Sequence, residues 1–328
     1  MRILFLGDGS WATRSLVRLV AEDWDVAGVV LRTRVTDPDL AATAAHLGVP
    51  VFQPADINDP GFIAQIAALR PELLVSVSYD QILRKAVRTA APLGCVNFHA
   101  GKLPAYRGRS VLNWALINGE TEIGMTAHFV DAGIDTGDVI LQRMMPIAWT
   151  DTYAEVLANV SGAFPELVSD ALALIRSGQA GRRSQPFEGG TYFCARRPGD
   201  EWLSWSDSSH DLYNKIRGIT RPGPGARTLL DGRPVTIWRA WYDPAWPAYR
   251  ATPGEVVARR KDAGVVIKTG DSTLLVQEVQ IGPAEPTVPD WRIGTRFGSP
   301  VENDLDQLRS AVAGLRAELA ALRHPESK

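Results

Sequence analysis

Cysteine is scarce in this chain of 328 residues: only Cys95 and Cys194 occur, far apart. Such a pair makes neither a disulfide framework nor a metal-type motif, and its scarcity fits a reducing cytoplasm. No metal ligands are assigned. Excess charge of either sign is lacking as well. With 35 basic and 37 acidic residues the formal net charge is -2. The chain as a whole therefore has no electrostatic footprint for nucleic acid, and a large polyanion is a disfavoured partner. Long apolar runs are missing too. The opening run stops at Gly7-Asp8-Gly9, too short for a secretory signal, and no stretch approaches the roughly 20 apolar residues of a membrane span. A soluble protein without membrane contact is expected, and no internal repeat is visible.

What is present is ordinary globular material, 45% hydrophobic and 22% charged, enough for a sizeable core. The length exceeds one typical domain and predicts one large and one smaller. The first half alternates short apolar runs at 3–6, 26–31, 73–77 and 95–98 with helical patterns at 12–21, 40–46, 62–69 and 82–89. A helix over 111–117 precedes two more strands, 124–130 and 139–145. This is the pattern of an α/β fold, a doubly wound, mostly parallel Rossmann-like sheet. A helix over 153–175 ends at Ser177-Gly178. The expected division is a first domain over 1–180, a polar, glycine-rich linker over 181–203, a β-rich domain over 204–301 and a terminal helix and tail over 302–328. Within the third part, a helix over 212–219, a break at Arg221-Pro222-Gly223-Pro224-Gly225 and strands at 236–241, 254–259, 264–269 and 274–279 suggest a small β-barrel-like (OB-like) domain or a sandwich.

The tail follows a different rule. Leu305, Leu308, Val312, Leu315, Leu319 and Leu322 are spaced 3, 4, 3, 4, 3, an a/d heptad seam with Asn303 or Asp304 as its cap. One reading is a helix packed on its own domain. The other is a homodimer formed through this helix.

Gly7-Asp8-Gly9-Ser10-Trp11-Ala12 fits a loose G-x-G-x-x-A turn, which raises a nicotinamide oxidoreductase as an alternative. The acidic residue expected after the second strand is missing. Leu31 is followed by Arg32-Thr33-Arg34, which suits only a phosphorylated cofactor. A plain strand-to-helix turn is the competing reading, with anion binding at Ser10 still open.

The richest region runs from Cys95 to Asp138. Asn97 and His99 lie two apart at the end of an apolar strand, so both face one side at the carboxyl edge where open α/β sheets bind ligands. A loop dense in glycine and cations follows, Lys102-Leu103-Pro104-Ala105-Tyr106-Arg107-Gly108-Arg109, and then Asp131-Ala132-Gly133-Ile134-Asp135-Thr136-Gly137-Asp138. An amide, an imidazole and a carboxylate can thus converge. The other histidines, His46, His128, His210 and His324, read as structural or surface residues, and Cys95 as a buried small hydrophobe.

Val96-Asn97-Phe98-His99, Leu103-Pro104-x-Tyr106-Arg107-Gly108 and Gly133-Ile134-Asp135-Thr136-Gly137 together resemble the folate-dependent formyltransferases, which include methionyl-tRNA formyltransferase and the nucleotide-sugar N-formyltransferases. The resemblance extends more loosely to about Phe297. It implies 10-formyltetrahydrofolate as formyl donor and a catalytic triad of Asn97, His99 and Asp135, and it makes the first domain the catalytic one. In such a reaction His99 acts as base, Asn97 donates to the oxyanion, and Asp135 orients His99. The resemblance also implies that the loop with Tyr79, Gln81, Ile82 and Leu83 binds the pterin through backbone groups, with Val130, Asp131 and Ile134 on the opposite wall.

The family's tRNA enzymes carry a basic insertion after the strand with the motif Asn and His, and nothing comparable is visible here. Lys102, Arg109 and Asn113-Trp114-Ala115-Leu116-Ile117-Asn118, together with Thr191-Tyr192-Phe193, look more like the enzymes acting on dTDP-4-amino-4,6-dideoxyhexoses. A nucleotide-linked amino sugar is therefore the expected acceptor, with Ser10, Lys102, Tyr106, Arg107 and Arg109 as its contacts, cations suiting a diphosphate. Hydroxyornithine, an antibiotic-pathway amine and methionyl-tRNA stay open as acceptors.

Overall fold

In the computed structural model, residues 1–33, 38–186, 188–298 and 300–323 are described, the side chains of the terminal helix at 304–305 and 307–319. Expectations at Arg34 and His324, and for the side chains of Asn303 and Leu322, lie outside the described residues. The chain divides into two compact units, one comprising Met1–Ala115, Glu120–Asp151 and Glu155–Arg196, the other Leu116–Gly119, Thr152–Ala154 and Arg197–Lys328.

The first unit begins β1(Arg2–Gly7), α1(Gly9–Ala21), β2(Asp25–Leu31), α2(Pro38–His46), β3(Val51–Phe52), α3(Pro60–Leu69) and β4(Leu73–Val77). It continues with α4(Lys85–Arg88), β5(Cys95–His99), β6(Arg107–Gly108), α5(Val111–Ile117), β7(Glu122–Phe129), β8(Val139–Pro146), α6(Tyr153–Arg176) and β9(Tyr192–Phe193). Seven strands form one sheet in the order β3-β2-β1-β4-β5-β7-β8. Those from β3 to β5 are parallel, and β7 and β8 add an antiparallel edge. Ile3, Leu4, Phe5 and Leu6 are all inaccessible to solvent, as a strand covered on both faces must be. Local chemistry sets the helix ends. Asp59 accepts from Gly61 N at 2.9 Å and Phe62 N at 3.1 Å, with Pro60 in the first turn of α3.

The stretch 181–203, expected as a linker, is largely woven into the first unit. Arg183 bridges to Val139, and β9 pairs in parallel with β6, so its backbone groups bond to protein rather than to water. Its glycines and polar residues resemble linker text only because they make a turn-rich return strand. The helix expected over 82–89 shortens to the single turn of α4.

The second unit holds α7(Ser209–Ile219), β10(Ala226–Leu230), β11(Arg233–Trp241), β12(Val256–Arg260), β13(Gly264–Lys268), β14(Thr273–Ile281), β15(Phe297–Gly298) and α8(Pro300–Arg323). Its six strands run β12-β13-β14-β11-β10-β15. The two outer strands meet, with Val256 N donating to Thr295 O at 2.8 Å and Phe297 N to Gly254 O at 2.9 Å, so the sheet closes in a barrel-like way. Strand β10 was not anticipated. Its turn into β11 is Asp231-Gly232, both at positive φ, a two-residue hairpin connection that the sequence does spell. Helix α8 starts at Pro300, which puts Asn303 and Asp304 inside it rather than at its cap. Among the described residues no helix is long and apolar enough to cross a membrane.

Truncating Leu4, wholly buried in β1, to Ala is expected to cost about 2–5 kcal/mol. Val17→Ala on the exposed face of α1 should stay within about 0.5 kcal/mol. Denaturant midpoints of the two variants give the comparison.

Candidate active site

The antiparallel register of β5 on β7 sets Asn97 opposite His128 and His99 opposite Thr126. Residues directly opposite in such a pair share a face, so all four side chains project to one side of the sheet edge. Ser76 Oγ donates to Asn97 Oδ1 at 2.9 Å, which fixes the amide with its Nδ2 turned inward, 3.2 Å from His128 Nε2 and 3.5 Å from Asp135 Oδ1. His128 Nδ1 lies 2.8 Å from the Phe129 carbonyl. Its proton sits there, leaving Nε2 to accept from Asn97. His99 Nε2 donates to the Tyr106 carbonyl at 2.6 Å. In the neutral ring the lone pair is then on Nδ1, 3.6 Å from Asp135 Oδ2.

Asp135 reaches this place on a strained turn, at φ 54°. Asp131 Oδ1 braces the turn by accepting from Gly133 N at 3.0 Å and Thr136 Oγ1 at 2.6 Å. Gly108 N donates to Asp135 Oδ2 at 2.8 Å. Gln185 donates to the carbonyls of Asp135 at 3.0 Å and Gly137 at 2.6 Å, while its own Oε1 takes Arg107 Nη2 at 3.0 Å. Gly108 has no alternative: its φ is +98°, and a Cβ there would overlap the Phe193 carbonyl.

Electrostatics follow from this packing. Burial pulls the His99 imidazole below its ordinary value, and the Asp135 charge and the Tyr106 carbonyl only partly offset it. Burial alone would raise the Asp135 carboxyl, but His99, His128 and the Gly108 N–H outweigh it and hold it at about 2. The site thus pairs a neutral imidazole with a firmly ionised carboxylate.

The remaining expected residues divide. Tyr106 is buried, its ring stacked on Phe193 at 4.9 Å and its hydroxyl donating to Glu120 at 2.7 Å. Arg107 corrects the expectation of an acceptor contact: it is 1% exposed, with Gln185 and Tyr192 Oη taking its guanidinium N–H groups. Lys102 is exposed but bonded to Glu122, which raises its pKa. Arg109 is exposed, with no side-chain partner among the described residues, and its backbone N donates to Phe193 O at 2.9 Å. Ser10 is exposed in the first turn of α1. Arg32, part of the run that at best suits a phosphorylated cofactor, is bound to Asp8 at 2.9 Å and Ser78 at 3.0 Å.

In the loop after β4, Leu83 packs into the core beside Leu74 and Cys95, which leaves its backbone as the part able to line a site. Gln81 accepts from Ile57 N and donates to Thr33, each at 2.8 Å, so it braces neighbouring loops. Tyr79 Oη and Asp80 Oδ1 are buried with no hydrogen-bond partner among the described residues, and burial raises the Tyr79 phenol. Ile82 and Ile134 are exposed, at 68% and 54%. Val130 packs against the core with its N donating to Cys95 O at 2.8 Å, and the Asp131 carbonyl accepts from Arg88.

Two residues of the cluster escaped the sequence reading. His128 had a usable signal, since Thr126 and His128 alternate on a strand just before the Asp135 motif. Gln185 had none, because its reach depends on the β6–β9 pairing.

Comparisons with known proteins agree on the class. The family profile described as formyl transferase matches residues 1–172, and that of the formyl transferase C-terminal domain matches 196–292. The chain belongs to the formyl transferase family, and its chemistry is formyl transfer. This displaces the nicotinamide reading; the glycine turn serves packing, since a Cβ at Gly7 would lie 2.8 Å from the Phe5 ring and 2.9 Å from Ala12 Cβ. It is 36% identical over 305 residues to a methionyl-tRNA formyltransferase of Pelotomaculum thermopropionicum, covering 90% of this chain and 96% of the relative. A second, from Symbiobacterium thermophilum, is also 36% identical, over 92% of this chain and 96% of its own. Among solved structures, an N-formyltransferase from Helicobacter canadensis in complex with folinic acid and dTDP-3-aminofucose superposes with a TM-score of 0.66 at 18% identity, covering 84% of this chain and 98% of that one.

Because burial depresses His99 and Asp135 raises it, Asp135→Asn should move the imidazole titration, read by NMR, further to the acid side of 6.5. A titration above 6.5 would contradict this balance. For both groups the unfolded chain takes the proton first. Stability should therefore fall as pH drops below 6.5 and again between 3.8 and about 2.

Proposed function

We propose that the chain transfers the formyl group of 10-formyltetrahydrofolate to the amine of a nucleotide-linked amino sugar. One observation supports the acceptor: Thr191-Tyr192-Phe193, a segment resembling the sugar enzymes, supplies β9, which pairs with β6 directly before Arg109 and beside the Gly108 N–H that bonds Asp135. Of the three loop cations, only Arg109 is exposed without a described partner. A forked guanidinium suits a diphosphate, whereas a long polyanion demands a broad basic face.

The roles follow from the geometry. The amine nitrogen bonds to the formyl carbon, and the oxygen becomes an oxyanion. Asn97 Nδ2, oriented by Ser76, donates to it. His99 Nδ1 takes the proton the amine loses, and the Asp135 carboxylate stabilises the imidazolium across 3.6 Å. Cleavage of the carbon–nitrogen bond to the donor completes the transfer, with the proton leaving on the folate nitrogen. Lining the donor's side are the backbone of the loop after β4, Val130, Asp131 and Ile134. The orphaned Tyr79 Oη and Asp80 Oδ1 match a ring edge that mixes hydrogen-bond donors and acceptors.

A second reading, methionyl-tRNA as acceptor, is favoured by the two relatives at 36% identity. Incubating the protein with 10-formyltetrahydrofolate and amino-sugar nucleotides, hydroxyornithine or charged initiator tRNA, and scoring formyl addition by mass, separates them. Addition to the tRNA or to hydroxyornithine alone sinks the sugar assignment. With the true acceptor, His99→Ala should lower kcat by about 100- to 10,000-fold. Arg109→Ala should raise the acceptor KM by roughly tenfold or more and leave kcat nearly unchanged.

A further inference from the structure

Helix α8 presents an apolar seam that the described residues of its own chain leave open. Leu305, Leu308, Val312, Leu315 and Leu319 stand between 45% and 65% exposed along one stripe. A row of five large aliphatic side chains in water costs free energy that burial against a partner recovers. The spacing settles the register, with Leu305, Val312 and Leu319 at a positions and Leu308 and Leu315 at d.

The flanking residues name the partner. The e positions are Arg309, Arg316 and, in sequence, Arg323; the g positions are Asp304, Ala311 and Glu318. In a parallel pair of identical helices each g residue faces the e residue of the next heptad across the seam. Asp304 then meets Arg309, Glu318 meets Arg323, and Ala311 faces Arg316, with no like charges opposed. An antiparallel pair sets e against e and g against g, so arginine meets arginine and acid meets acid. A β-branched residue at the central a position with leucine at d favours two strands over more.

We infer that α8 is a homodimerisation element, a parallel two-stranded coiled coil between two copies of this chain. The parallel pairing brings the two copies of Leu305 side by side, whereas an antiparallel one sends them to opposite ends.

Sedimentation of the full-length protein across a concentration series should give twice the 35.7 kDa chain mass. Leu308→Asp combined with Leu315→Asp should return it to one chain mass with formyl transfer intact. An acidic variant (Arg309→Glu, Arg316→Glu, Arg323→Glu) and a basic one (Asp304→Lys, Ala311→Lys, Glu318→Lys) should each be monomeric alone and form a one-to-one dimer when mixed. Leu305→Cys, in a Cys194→Ser background, should cross-link under mild oxidation. A wild-type chain that stays monomeric throughout, a dimer that survives the aspartates, acidic and basic variants that self-associate or fail to pair, or an absent Leu305→Cys cross-link each overturns the proposal. So does seating of the helix on a different protein while the chain itself remains monomeric.

Discussion

A carboxylate taken out of water must be matched or it will pick up a proton, and the site is organised around that demand at Asp135. Its charge is met by the Gly108 N–H at 2.8 Å and faced by the Asn97 amide at 3.5 Å, with the His99 and His128 rings beside it at 3.6 and 3.5 Å. None of these groups reaches it unless the turn at 131–137 is held, and the turn is held from behind by Gln185 and, through Gln185, by buried Arg107. A planar guanidinium offers several donors in fixed directions, which is why an arginine can sit there at 1% exposure without an ion pair among the described residues.

The sheet makes this convergence affordable in conformational terms. Parallel strands β1, β4 and β5 bring Ser76 and Asn97 into adjacent register, and the antiparallel step to β7 delivers His128 opposite Asn97. Asn97, His99 and His128 each stand on a strand whose neighbours are buried, so their directions are set by packing rather than by a loop. The one loop-borne member, Asp135, has the most bracing.

The sequence was most informative where periodicity and motif coincide. The apolar runs at 3–6, 73–77 and 95–98 became β1, β4 and β5 because only a strand covered on both faces tolerates such text. Asn97, His99 and Asp135 came together as the motifs implied. Less legible was whatever depended on distant pairing. Strand β9 has two residues and no pattern of its own, so 181–203 read as linker. Arg107 read as a phosphate ligand because charge in a glycine-rich loop suggests solvent, and nothing local reveals that Gln185 and Tyr192 wrap it. His128 lost out to the stronger motif three residues later, although its register was readable once β7 was paired with β5.

The bond that secures Asp135 most directly comes from a peptide N–H. A main-chain donor survives nearly every change of side chain, so the residues around it are free to drift. Lys102, Ala105 and Arg109 can be rewritten over evolutionary time without loosening the grip on the carboxylate, provided position 108 keeps its glycine. The side chains of this loop and the carboxylate that its backbone holds on the neighbouring turn are thus mutationally uncoupled. A lineage built this way can vary the loop's surface while the carboxylate stays put.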